Sequence, residues 1–233
     1  MRRRSGPAWG TAALACLALV CAAHAQTAPK KPKAGAARTS AVAASAAERA
    51  AFYAQRFATV CVTCHGPGGR SEQAGVPALA GQHSFYAITQ LFLFREGRRD
   101  NAAMVDVAKT MTDADLRGFS EHIGTLPPAQ PSAPQLPLPD AARMSKGAEL
   151  ARQHKCVFCH GTDFAGGQQV PRIAGQREEY LRDTLHGFRT GKRPGYTQAM
   201  IGALATVPAE DLDALAYYAA HLRATAASAP SPR

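Results

Sequence analysis

The chain has 233 residues, 27 of them Lys or Arg and 17 Asp or Glu, for a formal net charge of +10. That length allows one or two compact domains. The basic balance invites a nucleic-acid reading, but the first 25 residues read as an export signal, and export argues against a nucleic-acid partner.

Arg2, Arg3 and Arg4 form the positive start of that signal, Ala12 to Ala23 its apolar middle, and Ala23-His24-Ala25 a small-x-small cleavage site before Gln26. The apolar stretch falls short of the roughly 20 residues that span a bilayer. Residues 1–25 are therefore expected to be removed, with the rest exported to the periplasm. Removal leaves 24 basic residues against 17 acidic, a balance of +7. Such an excess suits an acidic protein partner or a peripheral contact with an anionic membrane surface. Cys16 and Cys21 leave with the signal, so the remaining thiols are Cys61, Cys64, Cys156 and Cys159.

Residues 26–45 are rich in Ala, Pro, Lys and Ser and read as a flexible tether. A first unit follows over 46–126. It opens with an amphipathic helix, roughly Ala46 to Thr59, that leads into CVTCHG at Cys61 to Gly66. A second helix is expected from Ser84 to Glu96, stopped by Gly97. A third begins at Thr112 as N-cap and carries Leu116, Phe119 and Ile123 on one face. The stretch LPPAQPSAPQLPLP, from Leu126 to Pro139, is rich in a residue that lacks a backbone donor, so 127–139 should be an extended linker.

The second unit, 140–225, restates the first, and residues 226–233 read as a disordered tail. A helix over Asp140 to Gln153 leads into CVFCHG at Cys156 to Gly161. VPALAGQ at Val76 to Gln82 returns as VPRIAGQ at Val170 to Gln176, an offset of 94 that also pairs Tyr86 with Tyr180, Phe94 with Phe188, Arg95 with Arg189, Gly97 with Gly191, and Arg99 with Arg193. After a two-residue gap Met104 falls on Met200, Asp115 on Asp211 and Leu116 on Leu212. Helices are expected from Glu178 to Thr190, stopped by Gly191, and from Pro208 onward with Leu212, Leu215 and Tyr218 at helical spacing. Neither unit alternates as a strand pair would, so the fold class is all-α. Units of about 80 residues are small for an apolar core alone and usually need a covalent or cofactor staple.

The repeated Cys-x-x-Cys-His supplies that staple, since it is the attachment signature of haem c. Two thiols three positions apart can both form thioethers with the vinyl groups on one side of a porphyrin, and the adjacent His65 or His160 can reach the iron. A zinc site would set two CxxC pairs about 15–20 residues apart; here Cys64 and Cys156 are separated by 92. A dithiol redox pair would want a βαβ context, which is absent. Two haem c groups are therefore expected, on Cys61 and Cys64 and on Cys156 and Cys159.

The repeat also narrows the sixth ligand. Of Met104, Met111, Met144 and Met200, only Met104 and Met200 are equivalent, 39 and 40 residues after their histidines. Met111 and Met144 read as core filling. A bis-histidine site is the alternative, but His83, His122, His186 and His221 have no histidine opposite them. Arg95, Arg99, Arg189 and Arg193 repeat just before the methionine loops. Some of them could pair with haem propionates, Arg99 and Arg193 first, or all could form a solvated positive rim.

The helix into CxxCHG, the VPxLAGQ-like segment, the tyrosine-bearing helix ending in F-R-x-G-x-R, the methionine and the last helix together resemble the cytochrome c4 type of dihaem class I cytochrome c. The resemblance covers about 80 residues of each half. It implies two tandem class I domains, each wrapped round one haem, with His65 and Met104 on one iron and His160 and Met200 on the other. It also implies that the carbonyls of Pro77 and Pro171 accept the histidine ring N–H, which would set its basicity. The linker is longer and richer in proline than the family pattern, and a basic tail precedes the first unit.

His/Met ligation raises the reduction potential relative to bis-His and leaves no open iron. The expected function is one-electron shuttling, with a quinol-oxidising complex or dehydrogenase as donor and a terminal oxidase or reductase as acceptor. No catalytic residue of its own is expected. The alternative is an electron-transfer subunit of a dehydrogenase complex, for example one acting on sulfide or an alcohol.

Overall fold

A computed structural model describes residues 45–129, 138–193 and 198–223. The expectations for the export signal, for the tether up to residue 44, for the centre of the linker and for the C-terminal tail lie outside these residues. Among the described residues the chain is helical, with one isolated bridge between Gly167 and Val170 and no strand.

Local chemistry sets the helix ends. Helix α1 (Ala46–Val60) starts at a capping box in which the Ser45 hydroxyl accepts from the Glu48 amide and Glu48 accepts from the Ser45 amide. A short turn, α2 (Val62–His65), follows it directly. Helix α3 (Ser84–Arg95) ends where Gly97, at φ 62°, takes the left-handed conformation that closes a helix. Helix α4 (Ala102–Ala108) is capped by Asn101, and α5 (Asp113–Thr125) by a second capping box between Thr112 and Asp115.

The second repeat reuses this order. Helices α6 (Ala141–Gln153), α7 (Cys156–His160), α8 (Glu178–Arg189), α9 (Gln198–Ala205) and α10 (Ala209–His221) match α1 to α5 in turn. Asp140 caps α6 through the Arg143 amide, and Gly191 at φ 73° follows α8 as Gly97 follows α3.

Each repeat has its own core. In the first, α5 leans on α1 and α3, burying Phe57, Phe94, Leu116, Phe119 and Ile123. In the second, α10 leans on α6 and α8, burying Leu150, Phe164, Leu181, Leu212 and Leu215. Each such side chain contributes roughly 1.5–3 kcal/mol, but both cores leave one side of the bundle to the cavity described below.

The repeats meet through the two GQ segments in a reciprocal contact. Ala78 N donates to Gln176 Oε1 at 2.7 Å and Gln176 Nε2 donates to Ala78 O at 2.9 Å. In the mirror arrangement, Arg172 N donates to Gln82 Oε1 and Gln82 Nε2 donates to Arg172 O, both at 2.9 Å. Ala78 and Arg172 are equivalent in the repeat, as are Gln82 and Gln176, so the interface pairs like with like in the manner of a two-fold dimer. Proline-rich residues enter this contact too: Ala129 is buried and its amide donates to Ala80 O at 3.3 Å.

Candidate functional site

Each Cys-x-x-Cys-His segment folds as one tight helical turn at the foot of a longer helix. Cys61 ends α1 and caps α2, and α7 follows α6 after Lys155, whose left-handed φ of 58° turns the chain. One helical turn sets residues three apart on one face, which places Cys61 beside Cys64 and Cys156 beside Cys159. The first of each pair is partly buried and the second exposed. Burial pushes the Cys61 thiol up to about 11, against the pull of Arg56, and pushes Cys156 up as well. Such thiols are poor sources of thiolate for a metal or for disulfide exchange. A thioether is uncharged and carries no such cost.

His65 and His160 close the two turns and are 7% and 6% exposed. His65 Nδ1 lies 2.8 Å from Pro77 O, and His160 Nδ1 lies 3.1 Å from Pro171 O. A carbonyl oxygen only accepts, so Nδ1 carries the proton in both rings and Nε2 keeps its lone pair. Burial lowers both imidazole pKa values, outweighing the prolyl bond that raises them. Both rings are thus held neutral, in one tautomer, with the donor nitrogen free.

A cavity of about 550 Å³ runs along both repeats, and His65, His160 and all four cysteines line it. Met104 on α4 and Met200 on α9 line it as well. Both methionines stand on helices rather than on the loops expected from sequence; Asn101 Oδ1 accepts from the Met104 amide at 2.9 Å and starts α4 there. Met111 belongs to the first core and also touches the cavity, as its counterpart Val207 does in the second repeat, whereas Met144 does not reach it.

The four repeated arginines divide in two. Arg95 Nη1 donates to Met111 O at 3.3 Å and Arg189 Nε donates to Val207 O at 2.8 Å, so this pair tethers the chain ahead of the last helix of each repeat. Arg99 and Arg193 instead line the cavity and are partly buried, over Phe94 and Phe188 respectively. Arg99 donates to Gln90 Oε1 at 2.6 Å and Arg193 to Thr184 Oγ1 at 2.7 Å, again at equivalent positions. Both also donate to the phenol of Tyr180, at 3.0 and 3.3 Å. A solvated rim therefore does not describe Arg99 and Arg193. Gln90 Nε2, beside Arg99 on the cavity wall, is buried without a partner.

The unmatched histidines are engaged elsewhere. His83 Nε2 bonds Ala165 O at 2.7 Å, His122 packs on Phe57, His186 pairs with Asp213, and His221 Nδ1 bonds Tyr217 O at 2.8 Å. None of the four lines the cavity. Three features escape sequence reasoning. His154 lines the cavity and pairs with Asp211 at 3.1 Å. Tyr180 marks the repeat but gives no sign of its two arginines, and Gln82 and Gln176 mark it without revealing the bonds they make. Only the repeat itself, which keeps Gln and Tyr at the same offset, could have singled them out.

The residues present fit a covalently held porphyrin. They offer two neighbouring thiols, a fixed imidazole with a free nitrogen, a thioether lining the same apolar cavity, and an orphaned amide donor beside a guanidinium where a carboxylate would be satisfied. Among the described residues no three His, Cys, Asp or Glu side chains gather to hold a bare metal ion. No helix among them is long and apolar enough to cross a membrane.

Comparison with known proteins agrees. The family model described as Cytochrome c matches residues 54–127 and again 144–223. A relative named Cytochrome c4 from Thiocapsa roseopersicina is 34% identical over 170 residues, 68% of this chain and 85% of that protein. A protein named Thiosulfate dehydrogenase electron acceptor from Thiomonas intermedia is 32% identical over 147 residues, 59% of this chain and 66% of its own. The crystal structure of reduced recombinant cytochrome c4 from Pseudomonas stutzeri superposes with a TM-score of 0.66 at 26% identity, covering 75% of this chain and 98% of that one.

Proposed function

The chain belongs to the cytochrome c family, in its dihaem c4-type branch, with two tandem class I domains and two haem c groups, and from that premise we propose that it is a periplasmic carrier of single electrons between a respiratory donor and a terminal oxidase or reductase. Cys61 and Cys64 would hold one haem and Cys156 and Cys159 the other, with His65 and Met104 as the residues that would hold its iron in the first repeat and His160 and Met200 in the second. The haems supply a one-electron ferric–ferrous couple. What carries the reading is that in each repeat a fixed, neutral histidine and a methionine line one cavity at matched positions. With a histidine and a methionine to hold it, each iron would have no position left for substrate, so no catalysis is assigned to this chain.

The remaining residues orient and insulate. Pro77 and Pro171 fix the imidazole planes and raise their donor strength. Phe94, Leu181 and Phe188 keep water from the cleft. Arg99, Arg193 and the free Gln90 amide are placed to hold propionates. Phe158, 89% exposed beside Cys159, together with the exposed Arg152 and Lys155, forms an apolar and cationic rim where an acidic redox partner can dock.

A second reading is favoured by the relative named as an electron acceptor of thiosulfate dehydrogenase. In it the chain serves one dehydrogenase as a bound acceptor subunit rather than diffusing between complexes. Carbon monoxide added to the reduced holoprotein tests the closed sites: the Soret band should not move. A shifted band would expose an open iron and undo the carrier assignment. Stoichiometric co-purification with a dehydrogenase would favour the subunit reading.

A further inference from the structure

The reciprocal glutamine contact and the two histidine–proline bonds share atoms. Pro77 C=O and Ala78 N–H belong to one peptide group. Its oxygen accepts from His65 Nδ1 at 2.8 Å while its N–H donates to Gln176 Oε1 at 2.7 Å. The peptide of Pro171 and Arg172 does the same, accepting from His160 Nδ1 at 3.1 Å and donating to Gln82 Oε1 at 2.9 Å. Each histidine is therefore linked, through one peptide bond, to a glutamine of the other repeat.

These chains are buried from end to end. Gln82 and Gln176 are 8% and 9% exposed, so water does not compete for their bonds. Each amide is anchored at both ends, because Nε2 returns a bond to the carbonyl of the same residue whose N–H it accepts. Each Oε1 also accepts the amide of the next residue, His83 at 3.1 Å and Arg177 at 2.9 Å. The side chain is thus locked in the pose that aims Oε1 at the peptide.

A peptide group is polarised as a unit. An N–H that donates makes its own carbonyl oxygen more negative and a better acceptor, and bonds in such a chain strengthen one another. A stronger pull on Nδ1–H gives Nε2 more electron density to donate. That stabilises the ferric state and lowers the reduction potential.

We infer that Gln82 and Gln176 are positioning residues that set the haem potentials crosswise: Gln176 tunes the site of His65, and Gln82 tunes the site of His160. The inference rests on the histidine ligation proposed above and adds to it a route by which docking of one repeat on the other sets the donor strength of both histidines. Opening the interface removes both acceptors and raises both potentials, so the packing of the halves is itself a redox control.

The test uses the intact holoprotein and the variants Gln176→Met and Gln82→Met, which keep side-chain length and lose the amide. Stepwise oxidation followed by NMR separates the haems through their own hyperfine-shifted methyl resonances. Gln176→Met should raise the midpoint potential of the haem on Cys61 and Cys64 and leave the other in place; Gln82→Met should do the reverse. A shift in the haem of the mutated repeat, an equal shift in both haems, or no shift would overturn the inference. Lower thermal stability alone would follow from a structural role too and does not decide. If either Met variant fails to accumulate as holoprotein, Gln176→Asn and Gln82→Asn, one methylene short of the peptide, serve the same crossed comparison. Failure of the ligation itself would be seen separately, as a wild-type spectrum without the His/Met signature.

Discussion

Arg99 crosses from the first repeat to donate to Tyr180 OH at 3.0 Å, while Arg193 of the second repeat donates to the same oxygen at 3.3 Å. Burial works against ionising that phenol, but the two guanidiniums outweigh it and hold Tyr180 at about 7. The cavity wall therefore gathers positive charge from both halves at one point.

Removing either guanidinium should disfavour the reduced, less positive haem. Arg99→Ala and Arg193→Ala are each expected to lower midpoint potentials. The effect should be on the order of 1 kcal/mol per electron, as for a partly solvated charge at an effective dielectric constant near 20. A spectroelectrochemical titration reads it. Unchanged potentials in both variants would remove the propionate role.

The methionines give a repeat-specific test. Met104→Ala should open one iron only, so that carbon monoxide binds half the haem of the reduced protein and the weak sulfur-to-iron band of the ferric spectrum loses half its intensity. Met200→Ala should do the same for the other half. The double variant should bind two carbon monoxide molecules per chain, countable by titration at the Soret band.

Packing of α6 on α10 is tight enough to test by one methyl group. A Cβ on Gly147 of α6 would lie against Tyr218 Cβ and 2.8 Å from the backbone oxygen of Ala214 on α10. Overpacking against backbone cannot be relieved by a rotamer change. Gly147→Ala should cost about 1–3 kcal/mol, measured by denaturant unfolding of the holoprotein, with the haem count unchanged.

Asp115 supplies a pH test. Burial raises its pKa, but the Thr112 amide and hydroxyl and the Arg56 guanidinium lower it further, to a net value below 3.8. A carboxyl with a depressed folded pKa stabilises the fold above its unfolded value, and that contribution is lost as pH falls through the folded one. Asp115→Asn should therefore destabilise by about 1 kcal/mol at neutral pH, the usual worth of a cap. The gap from wild type should narrow as pH drops below 3.8.

Much of this fold is legible in the sequence because its signals are local. Thr112, Gly97 and Gly191 mark helix ends by caps and by φ, and the apolar faces of α5 and α10 follow from spacing alone. The helices that carry Met104 and Met200 were not legible as helices: α4 is seven residues long and owes its start to Asn101, a signal as common in turns. The cysteine–histidine turns were legible as chemistry but not as the short helices they form. Least legible were bonds between repeats. Gln82 and Gln176 stand out only as repeated letters, since nothing in a one-dimensional pattern says that each binds the backbone of the other half. The same holds for Tyr180, whose partners lie 81 and 13 residues away.

The most direct test of two closed His/Met sites is the proton NMR spectrum of the fully reduced holoprotein. A methionine held over a ferrous porphyrin has its methyl group shifted far upfield by the ring current. Two such three-proton singlets should appear, one lost in Met104→Ala and the other in Met200→Ala. A spectrum with one singlet or none, or singlets that survive both substitutions, would contradict the ligation on which the carrier function depends.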